Sequence, residues 1–357
     1  MTEGNASLLS RPSPSITRAL SGASWRIGVL FAMLLLALLL SLTIGRYPVP
    51  IHTILKLLLA GSTGEARAHS DPSWVVVYIV RMPRVLLVSV SGINLGLAGA
   101  AMQGLFRNPL VGPEVVGVSA GASLGGVIAL MCGWSVPIVM GSAFLWGFGA
   151  LLVAIVIAKT SRHTSILALL LSGVIVGAFF GALTGLAEYL ADPQSQLPEI
   201  TYWLLGSFVG ATYIKVLTLS IASLIGTTFL LLMRWRINLL SLEDNDARAL
   251  GIHVEALRWL VVVLVSLLAA SQVAVSGGIA FVGLIIPHAA RLWVGPEHSQ
   301  LLPASALLGG CYLLLMDDIS RTMFRTDVPI GLLTSCVGAP IFGILFWKSR
   351  SSGWGQL

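Results

Sequence analysis

The chain has 357 residues, of which 56% are hydrophobic and only 10% charged, with a formal net charge of +6 and a mean hydropathy of +0.91. So little polar material cannot cover a water-soluble protein of this size, which leaves an all-α polytopic membrane protein. Runs such as VLFAMLLLALLL do not alternate, and this excludes a transmembrane β-barrel.

Residues 1–24 are polar and rich in Ser, Pro and Arg and read as a flexible cytoplasmic tail. The apolar run that follows is too long for a signal peptide and lacks a small-residue cleavage site, so it is expected to be a retained first span, about Ile27 to Ile44. An amphipathic stretch, Ile51 to Ala60, comes next. The second and third spans are expected near Val85 to Phe106 and Val115 to Cys132. They are joined by RNPLVGPE, whose prolines and glycine suit a turn rather than a helix interior. The fourth runs about Ile138 to Ala158 and the fifth about Ser165 to Ala187. A short apolar piece (TYWLLGSFVG) precedes the sixth, Ile214 to Met233. The last four cover about Leu260 to Val275, Ile279 to Trp293, Leu302 to Leu315 and Ile330 to Trp347, which makes ten in all. Cys132, Cys311 and Cys336 all fall in apolar runs and read as small core residues.

With the N-terminus inside, the larger share of the 21 Lys and Arg falls in inner segments, which supports cytoplasmic N- and C-termini. Two stretches run against that bias. RMPR places Arg81 and Arg84 at the outer end of the second span, and DDISRTMFR places Arg321 and Arg325 at the outer end of the ninth. They either snorkel to headgroups or form a basic patch for an acidic partner outside the membrane; Asp317 and Arg321, four apart, can also pair with each other.

Between the sixth and seventh spans lies LEDNDARALGIHVEALRW, Leu242 to Trp259, with four carboxylates between two long apolar runs. Ser241 and the acids of the first turn suit a helix start, Gly251 a stop, and VEALRW the start of a second helix. The expectation is a small helix-turn-helix standing outside the bilayer, displaying Leu242, Ala247, Leu250 and Ile252 beside its charges.

The chain resembles the FecCD/BtuC family of permease subunits of type II ABC importers. The resemblance is carried by RMPRVLLVSVSGINLGLAGAAMQGLFRNPLVGPEVVGVSAGASLGG, ARALGIHVEALRW, GGIAFVGLIIPHAARLWVGPEH, LLPASALLGGCYLLLMDDISR and VPIGLLTSCVGAPIFGILF. It covers about residues 25–348, read as one ten-helix permease domain between the tail and a short C-terminal tail, 349–357. It implies a BtuC-like fold. It also implies a second permease copy, two cytoplasmic ATPase subunits that use ATP and Mg, and a periplasmic substrate-binding protein, all at the bacterial inner membrane. Implied site residues are Arg81, Arg84 and Arg321 for docking of the binding protein. Glu243, Ala247, Leu250 and Gly251, within a coupling loop of about 236–258, are implied contacts of the ATPase. Ser172, Gly173, Gly177, Gly181, Thr334, Ser335 and Gly338 are implied along the translocation pathway at a dimer interface. The implied cargo is a metal chelate, a ferric siderophore first, with haem and cobalamin as alternatives.

Two departures stand out. The acid before the tenth span is Asp327, and GGIAFVGL has Gly278 where proline is common in the family.

The chain has no Gly-x-x-x-x-Gly-Lys-[Ser/Thr] phosphate cradle and no catalytic constellation, so it is expected to be a transport subunit rather than an enzyme, holding no cofactor itself. His288 reads as a backbone-bonded residue and no metal site is expected. A motor-free secondary transporter is the alternative class. It calls for mid-membrane ionisable groups, whereas the carboxylates Glu188, Asp317 and Asp318 fall at span ends and the others in loops.

Overall fold

The computed structural model describes residues 16–60, 72–160, 166–240, 242, 244–324 and 326–350. These are almost entirely helical, and none of the described residues forms a strand. Helix α1 (Ile16–Thr43) is followed by the amphipathic α2 (Ile51–Ala60). A continuous rod, Pro72–Phe106, then comprises a short first turn, a π-helical stretch (Val75–Arg81) and α3 (Met82–Phe106). Helices α4 (Val118–Met131), α5 (Val136–Thr160), α6 (Ile166–Leu190), α7 (Gln196–Leu204) and α8 (Tyr213–Leu232) come next. Two short helices, α9 (Arg234–Leu240) and α10 (Asp244–Ala249), lead into α11 (Val254–Ser276), α12 (Val282–Val294), α13 (His298–Thr322) and α14 (Ile330–Arg350).

Each of the ten expected spans is helical. Seven helices are long and apolar enough to cross a membrane, and α4, α12 and α14 are shorter apolar helices. Several boundaries differ from expectation: α11 starts earlier, at Val254, α13 is longer at both ends, His298–Thr322, and three others have identifiable causes or consequences. Helix α1 begins at Ile16, inside the segment read as a flexible tail; residues 1–15 lie outside the described residues, as do 351–357 of the C-terminal tail. The third span starts at Val118, because Pro113–Val116 forms a separate 3-10 turn between Gly112, which is extended, and Gly117, at φ +82°. The second span extends upstream to Pro72, because the apolar run before Arg81 is helical too. Pro83 removes one helical donor and crowds the preceding turn; the rod accommodates it by switching to π spacing, with the Met82 amide donating to the Val77 carbonyl.

Helices α3, α11 and α13 form the centre, with 83%, 78% and 61% of their apolar windows buried, against 22% for α1 and α8. Glycine makes the central contact possible. A Cβ on Gly92 would lie 2.3 Å from the Gly309 carbonyl oxygen, one on Gly309 2.2 Å from that of Gly92, and one on Gly99 1.9 Å from that of Gly283. Where lipid removes the hydrophobic drive between helices, such backbone-to-backbone approach supplies dispersion in its place. The outer faces of α6 and α8 remain apolar and exposed, with Val174, Phe179, Leu217 and Leu224 among them.

The bundle has two ends: a proximal one, where α1 begins, and a distal one opposite.

Candidate functional site

At the proximal end, α10, the turn at Gly251 and the start of α11 build the expected helix-turn-helix. Asp244, the first residue of α10, accepts hydrogen bonds from Arg258 of α11 at 2.6 and 2.9 Å and from Arg107, just past the end of α3, at 2.8 Å. Arg107 also donates to the Leu240 carbonyl at 2.8 Å. It adopts a left-handed conformation (φ 50°) to turn back over the hairpin. The Arg258 hydrogen bonds foremost, with the charges of both guanidinium groups, hold the Asp244 carboxyl below the usual aspartate range. Helix α10 ends in a Schellman motif: the Ile252 amide donates to the Ala247 carbonyl, the Gly251 amide to that of Arg248, and Gly251 sits at φ +80°.

Of the four residues expected at a partner contact, Leu250 is 61% exposed and Gly251 is exposed beside it. Ala247 is fully buried in the main core and anchors α10, which corrects its expected display. Glu243 lies outside the described residues. Arg107 and Arg258 were not singled out from the sequence. The signal was there in the acid-rich first turn of α10, which calls for cations it cannot supply from its own first turn.

At the distal end, the structure corrects the expectation of an exposed basic patch. Arg81 is 4% exposed, and its guanidinium donates to the carbonyls of Leu42 (2.6 Å), Thr43 (3.0 Å) and Tyr47, closing over the end of α1. Arg84 binds Asp317 through Nε and Nη2 and reaches Asp327 through Nη1 at 2.6 Å. Arg321 is 7% exposed and pairs with Asp318 and with the Ser41 hydroxyl and carbonyl; Asp317 lies 3.6 Å from its Nε. The reason is positional. Arg81 and Arg84 stand inside the Pro72–Phe106 rod, not at its end, and face α1 and α13. Among the described residues at this end, Arg46 is an exposed cation, and it bonds Asp327 at 3.0 Å. Arg325 lies outside the described residues.

Between these ends the chain folds back into the bundle. Gly283 adjoins both Pro113 and the carbonyl of Leu95, near the middle of α3, and Gly173 of α6 lies against the Val115 carbonyl, 2.0 Å from where its Cβ would be. The 3-10 turn is thus re-entrant, with Pro113, Val116 and Gly117 buried. Broken backbone at that depth is tolerated only against protein or a cavity, and a cavity of about 410 Å³ adjoins it, walled by Glu114, Leu204, Gln272, Phe281, Gly331 and Ser335 among others. Beside the cavity the end of α7 is stitched to neighbouring backbone: the Ile330 amide donates to the Gly206 carbonyl, Gly331 to Leu205, and Ser207 to Ser276. The Gly278 carbonyl lies 2.2 Å from where a Cβ on Gly206 would be, so it is Gly206 that permits this approach, while a Cβ on Gly278 would lie 3.2 Å from the Leu204 carbonyl oxygen.

The small residues expected along a pathway divide into two groups. Ser335 lines the cavity, its hydroxyl bonded to the Gly331 carbonyl at 2.7 Å, and Gly181 is exposed with open space around it. Ser172, Gly173 and Thr334 are buried, Gly177 faces Gly117, and Gly338 packs under Phe281. Phe281 itself is held at φ 66°, a conformation uncommon for a bulky side chain. Glu114, which the sequence places in a loop, is brought to the cavity wall.

The FecCD transport family model matches residues 14–348. The molybdate import system permease protein MolB of Haemophilus influenzae is 40% identical, over 91% of this chain and 97% of its own. The hemin transport system permease protein HmuU of Yersinia pestis is 37% identical, over 79% of this chain and 86% of its own. A solved structure described as an inward-facing conformation of a metal-chelate type ABC transporter superposes with a TM-score of 0.81 at 39% identity, covering 90% of this chain and 98% of its own.

Proposed function

The chain belongs to the FecCD transport family of multi-pass membrane permeases, and from that premise we propose that it is the membrane subunit of an ATP-driven importer for a metal chelate. Two copies pair through the exposed apolar faces of α6 and neighbouring helices and enclose the cavity as part of a shared path. The proximal end faces the cytoplasm of a bacterial inner membrane. There two ATPase subunits hold the α10 hairpin through Leu250 and Gly251, and ATP and Mg belong to those subunits. A periplasmic binding protein docks at the distal end, meeting Arg46 and Asp327 first, with Arg84 directly beneath and Arg81 and Arg321 bracing the helices under the contact.

The observation that carries this reading is Asp244. Through Arg107 and Arg258 it ties a hairpin outside the bilayer to the ends of two central helices, as a handle for a motor requires. Co-purification in mild detergent with mass spectrometry tests it. An ATPase subunit in one-to-one ratio supports it, and a preparation without any ATPase after crosslinking at Leu250 returns a motor-free transporter to first place. Ferric siderophore is the first cargo to assay. Haem and cobalamin follow, for which relatives are named, and molybdate, for which a relative of 40% identity is named, is the oxyanion to assay against them.

A further inference from the structure

Glu114 is exposed, yet it belongs to the turn that reaches the middle of α3. Leu95, which adjoins that turn, stands eleven residues before the end of α3 at Phe106, or about 16 Å along the helix axis. The hydrocarbon core is about 30 Å thick, so the carboxylate is carried to the depth of the acyl chains on the wall of the cavity. Among the described residues its two carboxylate oxygens lie over Gly112 of the same turn, 2.3 and 2.4 Å from where a Cβ there would be, and no Lys or Arg forms an ion pair with it. The remaining lining includes Gln272, Ser119 and Ser335, which are polar and neutral, and Leu204 and Phe281, which are apolar. Asp244 and Asp317, by contrast, are neutralised by arginines.

A charge at membrane depth is costly to keep and marks a function when it faces water. We propose that Glu114 is the specificity-determining group of the path: its negative charge disfavours bare oxyanions and favours metal complexes whose exposed surface is neutral or cationic. This rests on the cavity being part of the translocation path. The opposing copy would present a second Glu114, and the negative potentials of the two would add on anything passing between them. Gln272 and Ser335 offer amide and hydroxyl groups, which can solvate a ligand shell without neutralising Glu114.

The test reads the local potential directly. In the intact complex in lipid nanodiscs, with Cys132, Cys311 and Cys336 replaced by serine, a Ser335→Cys variant is reacted with a cationic trimethylammonium and an anionic sulfonate methanethiosulfonate reagent, and each rate is normalised to that of free cysteine. With Glu114 present the cationic reagent reacts faster. Glu114→Gln lowers the cation-to-anion ratio on the order of tenfold, and Glu114→Asp retains most of the preference. An unchanged ratio in Glu114→Gln overturns the proposal. If the Ser335→Cys variant reacts with neither reagent in any nucleotide state, the cavity is not on a water-filled path, and it is the pathway reading that fails, with the proposal falling as its consequence.

Discussion

Arg84 and Asp317 face each other across α3 and α13, with the guanidinium Nη2 2.8 Å from one carboxylate oxygen and Nε 3.1 Å from both. Asp317 is 1% exposed, and the pair sits inside a chain of alternating charges that runs from Arg46 through Asp327, Arg84, Asp317 and Arg321 to Asp318. Helices α3 and α13, the segment after α1 and the segment before α14 meet in this chain, so the distal face behaves as one piece.

Removing one member of the pair leaves charge buried without its partner. Asp317→Ala is expected to lower stability by about 3 kcal/mol, at the low end for a broken buried pair, because Arg84 keeps Asp327 and Arg321 keeps Asp318. The double variant Arg84→Met, Asp317→Leu is expected to recover most of that loss. Thermal unfolding in detergent, followed by intrinsic fluorescence, checks both; equal losses in the single and double variants would contradict the ion-pair account.

Glycine positions separate by what a methyl group would meet. Gly99→Ala drives a carbon to 1.9 Å from the Gly283 carbonyl and is expected to cost about 1–3 kcal/mol or misfold the protein, as overpacking does. Gly149→Ala, with nothing within 4 Å, is expected to be neutral or slightly stabilising, since alanine is the better helix former. Expression level and melting temperature of the two variants provide the comparison.

On the hairpin, Leu250→Asp changes an exposed tip and is expected to move folding stability by no more than about 0.5 kcal/mol while abolishing ATPase co-purification. Gly251→Val forces a β-branched residue into φ +80°, at about 1–2 kcal/mol, and is expected to leave ATP hydrolysis running without uptake. Hydrolysis and uptake measured together in proteoliposomes decide this, and full uptake by the Gly251→Val variant would remove the hairpin from the drive.

The acid side of the pH profile should carry the signature of Asp244. Its carboxyl is depressed in the folded protein, so its contribution is fully present above the ordinary aspartate pKa of about 3.9 and is lost as pH falls through the lower folded value. Because the side chain is 38% exposed, solvent screening limits the effect to about 1 kcal/mol or less. The protection factors of residues 244–258, corrected for the pH dependence of intrinsic exchange, are expected to fall below about pH 4 in the parent, and to be low already at pH 7 in Asp244→Ala.

Much of this architecture is legible in the residues alone, because span length and polar punctuation are one-dimensional signals. The ten apolar runs, the Gly251 stop and the break at RNPLVGPE are of that kind. What the sequence does not contain is direction around a helix axis when both sides are apolar. Arg81 and Arg84 have a readable position along the chain, but only the neighbouring α1 and α13 decide that they turn inward. Ala247 fails for a related reason: a six-residue helix is too short for its period to show which side is covered. The depth of Glu114 depends on Gly173 and Gly283, distant in sequence, both lacking the side chain that would keep the turn out.

The brevity of α4 and α12 bears on how the protein is made. Their 14 and 13 residues rise only about 20 Å, less than the roughly 30 Å of hydrocarbon. Neither segment is long enough to enter a bilayer as an independent unit during synthesis. Each is expected to enter together with the longer α5 or α13 that follows it, as a helical pair. Truncation after Met131 is therefore expected to leave α4 accessible to a glycosylation or protease probe, whereas truncation after Thr160 is expected to protect it.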